Sequence, residues 1–184
     1  VVSRIRKLVQ DILFFAKERE LDRKRIDVLD FASEVASAVE SKIKPEGVHF
    51  VCDFNESLGD VEIDSSTVRL ALINILENAL DACAEDKADK SHKIVFTAKQ
   101  EENDVIFEVT DNGVGMDRET KESLFTLFFS SKGNKGTGLG LFIANKIIDQ
   151  HGGKITVEST SGQGSNFRIK LPKTIPNAVD PLQE

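Results

Sequence analysis

The stretch GNKGTGLGLFIANKI, residues 133–147, sets four glycines within eight residues directly ahead of a strongly apolar helical pattern. Fixing glycine costs more conformational entropy than fixing any other residue, so Gly133, Gly136, Gly138 and Gly140 need a compensating reason. One reading is a flexible loop before an ordinary amphipathic helix. The other is an anion: bare backbone at a helix start lets a phosphate reach unpaired N–H groups at the positive end of the helix dipole. So short a motif leaves both open, and the rest of the chain must decide.

The flanking sequence alternates helical and strand periods. Residues 1–20 place Val1, Ile5, Leu8, Ile12 and Phe15 at steps of three and four, a helix whose apolar face needs the body, a second helix or a second copy of itself. A short strand is expected around Arg25 to Val28, a helix over Leu29 to Ile43 broken by Pro45 and Gly47, and a strand in VHFVCDF. Asp64 or Ser65 caps the next helix, with Val68, Leu72, Ile75, Leu76, Ala79 and Leu80 on its buried face. IVFTAKQ and DVIFEVTD form a hairpin. A short helix near Asp117 to Leu124, the glycine-rich stretch, a helix to His151 and a second hairpin, GGKITVEST with SNFRIKL, complete the order. This order predicts an α+β fold: a two-layer α/β sandwich, a mixed sheet covered by helices on one face, preceded by one further helix. The tail PKTIPNAVDPLQE carries three of the four prolines and is expected to be flexible.

With 184 residues, 40% hydrophobic and 30% charged, the chain suffices for one cored domain and an appendage. It shows no apolar run of membrane-spanning length and no signal segment, so a cytoplasmic piece without membrane contact is expected. It begins at Val1 inside a helical pattern, as expected of a piece of a longer protein whose other parts could lie in a membrane. The net charge of −7 argues against nucleic acid as a partner. Cys52 and Cys83 lack metal-type spacing and read as two small buried or semi-buried side chains.

Two further stretches carry chemistry. Asn74 and Asn78 stack on one helix face, either capping nearby loops or turning amide oxygens to a hard cation such as magnesium. In TDNGVGMD, Asp111 closes a strand and Gly113 and Gly115 follow. This is a tight turn, or a site where the carboxylate accepts from an exocyclic amine and glycine admits a flat ring. Asn112 and the second glycine exceed what a turn needs.

In order, NILENALDA, DNGVGM, LFTLFFSSK and GTGLGL resemble the N, G1, F and G2 boxes of the ATP-binding catalytic domain of sensor histidine kinases. That family shares its nucleotide fold with gyrase B, the mutL repair proteins and a heat-shock chaperone. The resemblance covers about residues 25–172 and extends to HGGKITVESTSGQGSNFRIKLP, which is similar to the family's closing segment. Residues 1–22 resemble the second helix of the dimerisation and phosphotransfer hairpin, 23–172 the catalytic domain, and 173–184 a flexible tail.

The resemblance implies ATP and Mg2+ as ligands. Asn78 ligates magnesium with Asn74 assisting, Asp111 bonds the adenine amino group, and Gly113 and Gly115 admit the base. Gly136, Thr137, Gly138 and Gly140 line the phosphates while Leu139 and Leu141 anchor the lid end. Phe125, Phe128 and Phe129 form the lid base, at least one of the adjacent pair Phe128 and Phe129 being core, and Lys132 or Lys135 meets the β- or γ-phosphate. Asn74, Asn78 and Lys132 form the implied catalytic set. Asp81 departs from the pattern, standing where many members carry a lysine, and related hydrolases carry a glutamate base where Asn74 stands.

Phosphoryl transfer is mainly positioning and charge stabilisation. The expected acceptor is a histidine on a helix outside this chain, because His49, His92 and His151 all lie outside a helical acceptor pattern. The expected partners are ATP and ADP, that acceptor helix, a second copy in a full-length homodimer, and a response-regulator receiver domain. The alternative is a nucleotide-dependent conformational module of the same fold without phosphotransfer.

Overall fold

The computed structural model describes residues 20–88, 90–129 and 137–174. The predicted first helix, most of the tail and the centre of the lid, with Lys132, Lys135 and Gly136, lie outside the described residues.

Two sheets build the domain. Strand β1 (Lys24–Asp27) pairs antiparallel with β3 (Asp60–Ile63) in a small ribbon, Arg25 opposite Glu62. The larger sheet has the order β2-β4-β5-β7-β6, from β2 (His49–Phe54), β4 (Lys93–Glu101), β5 (Asp104–Asp111), β6 (Lys154–Thr160) and β7 (Gly164–Pro172). Only the β2 and β4 pair is parallel, so the sheet is mixed. Helices α1 (Val28–Ile43), α2 (Ser65–Glu85) and α4 (Gly140–Gln150) supply the second layer, and the short α3 (Arg118–Ser123) precedes the lid.

Strand periodicity decides which sheet face meets the helices. On one face Ile94, Phe96 and Ala98 of β4, Val105, Phe107 and Val109 of β5, and Phe167, Ile169 and Leu171 of β7 are all buried. Phe96 stacks on Phe107 at 6.2 Å, and Phe31 of α1 meets Phe107 edge-on at 6.0 Å. The opposite face carries charge: Arg168 pairs with Glu108 and Glu101, and Lys99 pairs with Glu108 at 3.1 Å. Ile106 on that face is nevertheless fully buried, because its cross-strand neighbours are Lys99 and Lys170, whose alkyl stems can cover it.

Helix starts follow side-chain caps. The Asp27 carboxylate accepts from the Asp30 amide, so α1 begins at Val28, where the sequence predicts the strand's last residue. Asp64 caps α2, its Oδ1 accepting from the Ser66 and Thr67 amides at 3.1 and 3.2 Å. The ribbon strand β3 is absent from the sequence prediction. Its four residues hold only two buried apolar side chains, Val61 and Ile63, too short a run to declare a period.

Candidate functional site

Helix α2 is the spine of the site. Asn74, Asn78 and Ala82 lie at successive steps of four, so they share one stripe about 12 Å long at 1.5 Å per residue. Each end of this stripe meets a different loop.

At the Asn74 end sits the start of α4. Asn74 is buried, and its Nδ2 donates to the Gly140 carbonyl at 3.3 Å. Asn78 donates back to the Asn74 carbonyl at 2.8 Å. Each amide nitrogen thus donates to a backbone carbonyl. No side chain caps α4, so its first amides keep their anion-binding character. Leu139 is buried and Leu141 packs against the core.

The two described ends of the lid are drawn together: the Phe128 amide donates to the Gly138 carbonyl at 3.1 Å. A Cβ on Gly138 would lie 2.4 Å from the Phe128 carbonyl carbon, so this neck admits only glycine. Thr137 Oγ1 accepts from the Leu139 amide at 3.4 Å. Phe125 packs against the core and Phe129 is half-buried, whereas Phe128 is 66% exposed with φ at 63°.

At the Ala82 end sits the loop after β5. Asp111 is buried, and its Oδ1 accepts from the Gly113 amide at 2.9 Å. The Val114 amide donates to the Ala82 carbonyl at 3.1 Å, and a Cβ on Gly113 would lie 2.4 Å from the Ala82 carbonyl carbon. Gly113 thus lets the loop lie against the helix backbone. Burial, reinforced by the Asp111 charge, pushes the Cys83 thiol up to about 11.

Asn112 has a different task from the one its place in the motif suggests. Its Oδ1 accepts from the Lys93 amide at 2.8 Å and its Nδ2 donates to the Ser91 carbonyl at 2.9 Å, which fixes the chain entering β4. The turn between β6 and β7 supports the same loop from the other side. Ser159 Oγ accepts from the Met116 amide at 2.9 Å, the Gly162 amide donates to the Val114 carbonyl at 2.7 Å, and Gly115 lies against the Thr160 carbonyl. The only sequence sign of this buttress is the glycine pair in SGQG, which reads as an ordinary hairpin turn.

The candidate residues therefore fall into two groups along one helix: Asn74, Asn78, Gly138 and Gly140 at one end, and Asp111, Gly113 and Gly115 at the other. An uncapped helix start at one end and a buried carboxylate at the other suit a ligand that is anionic at one end and aromatic at the other. Among the described residues no group of three or more His, Cys, Asp or Glu is placed to hold a metal.

These features define a nucleotide-binding ATPase fold. Residues 63–175 match the family described as "Histidine kinase-, DNA gyrase B-, and HSP90-like ATPase", and the chain belongs to that family. Within it the chain is an ATP-binding catalytic domain of the histidine kinase type. It is similar to the catalytic domain of histidine kinase ThkA, with 35% identity and a TM-score of 0.72 over 83% of this chain and 97% of that one. It is also similar to ThkA in complex with the response regulator protein TrrA, with 32% identity and a TM-score of 0.77 over 94% of this chain and 48% of that one. Sensor histidine kinase ZraS of Salmonella typhi is 31% identical over 92% of this chain, which spans 36% of that kinase. Among the described residues no helix is long and apolar enough to cross a membrane.

Proposed function

We propose that this domain delivers the γ-phosphoryl group of ATP to a histidine on a helix outside this chain, from which it passes to an aspartate of a response-regulator receiver domain. The carrying observation is Asn74. It is buried, its amide is pinned to Gly140 at 3.3 Å, and it offers no carboxylate to take a proton from water. The neighbouring Glu77 is turned to Lys42 of α1. The site accordingly preserves ATP for transfer.

The residues divide the work of positioning. Asp111 accepts from the adenine amino group while Gly113 and Gly115 give the ring its place. Asn78, with Asn74 beside it, holds magnesium through side-chain oxygen, and Gly138, Gly140 and the first turn of α4 receive the phosphates. Magnesium held there would supply charge neutralisation at the phosphoryl group. Lys132, Lys135, Gly136 and Thr137 complete the phosphate side of this assignment. The receiver-domain partner is supported by similarity to the ThkA complex with TrrA, and a homodimer of the full-length protein follows from the hairpin resemblance of residues 1–22.

The test is to mix this chain with a separate helical hairpin carrying an acceptor histidine and with γ-labelled ATP. Acid-labile label on the hairpin, faster than release of free phosphate, supports transfer. Nucleotide binding with no labelled hairpin would refute it and make the domain a conformational module.

A further inference from the structure

Helices α2 and α4 run past each other in opposite directions and are pinned by two side-chain hydrogen bonds, one at each end of α4. At the phosphate end the pin is Asn74 Nδ2 to the Gly140 carbonyl, 3.3 Å. At the far end it is His151, the residue that closes α4: its Nε2 accepts from the Asp64 amide at 3.1 Å while Nδ1 bonds the Ile147 carbonyl at 2.7 Å. Each pin is about 15 Å from the other along either helix, at 1.5 Å per residue. A helix is stiff over that length, so a rotation at one pin moves the other.

The chain that leads into the domain straddles the far pin. The Asp22 amide donates to Asp64 Oδ2 at 3.2 Å, on the cap of α2. Arg23 Nη2 donates to the Gln150 carbonyl at 2.8 Å, on the last residue of α4. Two consecutive residues therefore grip the two helices that carry the nucleotide site. The charged groups facing the His151 ring are Arg23 from the incoming chain and Asp64 from α2. His151 is buried, and the proposed chemistry of ATP binding leaves this pair without a role.

We propose that His151 is a positioning residue, and that Asp64, His151, Asp22 and Arg23 form a joint through which the incoming chain and the nucleotide site set each other's geometry. Nucleotide bound between α2 and the start of α4 fixes the near pin. The far pin then tightens, and with it the grip on Asp22 and Arg23. Coupling of this kind is reciprocal, so loosening the joint weakens nucleotide binding. This inference rests on the assignment of the nucleotide site above.

The experiment uses the 184-residue chain. Amide exchange at Asp22 and Asp64 is followed by NMR with and without a non-hydrolysable ATP analogue and magnesium, and binding is measured independently by calorimetry. The expected result is that the analogue slows both amides by about five-fold or more, the lower end of ordinary allosteric couplings. Arg23→Gln, which removes the grip on Gln150 together with the charge facing His151, is expected to weaken analogue binding by at least the same order. His151→Gln keeps an acceptor for the Asp64 amide and preserves the exchange response, whereas His151→Leu fills the space without one and abolishes it. A merely structural histidine would lower the melting temperature in both variants and leave the response intact. Should His151→Leu fail to fold, Arg23→Gln carries the test. The joint is refuted if calorimetry shows binding while both amides exchange unchanged and Arg23→Gln binds as the parent does. Absence of any binding to the parent chain would instead overturn the nucleotide assignment on which the joint depends.

Discussion

Replacing Gly113 by alanine isolates the contact that holds the β5 loop against α2. The added Cβ would lie 2.4 Å from the Ala82 carbonyl carbon, 2.5 Å from its oxygen and 2.7 Å from the Cys83 nitrogen. All three are backbone atoms inside a 21-residue helix, so the loop must move rather than the helix. Overpacking of this kind costs about 1–3 kcal/mol. The displaced loop also strains the Val114 to Ala82 bond at 3.1 Å and the Gly113 to Asp111 bond at 2.9 Å, adding about 1 kcal/mol for a weakened hydrogen bond. The sum is about 2–4 kcal/mol, which for a domain of this size lowers the melting temperature by about 5–15 °C. Asp111 loses its orienting partner in the same movement, so adenine nucleotide affinity falls with stability. Gly162→Ala is the control: φ there is +77° and no atom lies within 4 Å of the added Cβ, leaving only backbone strain of about 1–2 kcal/mol. Thermal unfolding by circular dichroism and calorimetric titration with ADP measure both effects. A Gly113→Ala chain that melts within about 2 °C of the parent, less than 1 kcal/mol on this scale, and binds ADP normally would refute the argument.

Asp64→Ala removes the cap of α2 together with its bonds to Ser66, Thr67 and Asp22, and is expected to cost about 1–2 kcal/mol in urea unfolding. Burial, the largest influence, pushes this carboxyl up, but those hydrogen bonds outweigh it and hold it below its ordinary value. Their contribution is therefore present above pH 3.8 and is lost as pH falls through the lower folded value. Burial lowers His151 below its ordinary value of 6.5, so the unfolded chain takes up a proton before the folded one. Stability is expected to decline as pH drops below 6.5, by at most about 1.4 kcal/mol per pH unit, until the folded ring also protonates; His151→Gln removes that component of the denaturation profile. On the proposed assignment Asp111→Asn is expected to abolish discrimination between ATP and GTP, and Asn78→Ala to weaken magnesium-dependent binding; unchanged titrations of both variants would sink that assignment.

Local periodicity and capping belong to consecutive residues, and they made most of this domain legible before any coordinates. DVIFEVTD is a strand over the full predicted range, α2 starts behind Asp64, one of the two predicted caps, and the ordered glycine and asparagine motifs identify a nucleotide fold. Only the tertiary structure decided what those elements touch. Periodicity says which face is buried and is silent about the partner, so the pairing of β1 with β3 and the laying of Gly113 on the Ala82 carbonyl were invisible in the chain. Asn112 shows the limit most plainly, since a motif position that suggests a ligand contact serves instead to hold Ser91 and Lys93. His151 and Asp64 are 87 positions apart, and Arg23 and Gln150 are 127 apart. Bonds of that span exist only after α2 and α4 have packed together, because it is the buried apolar faces of the helices, encoded locally, that bring these distant polar groups within reach.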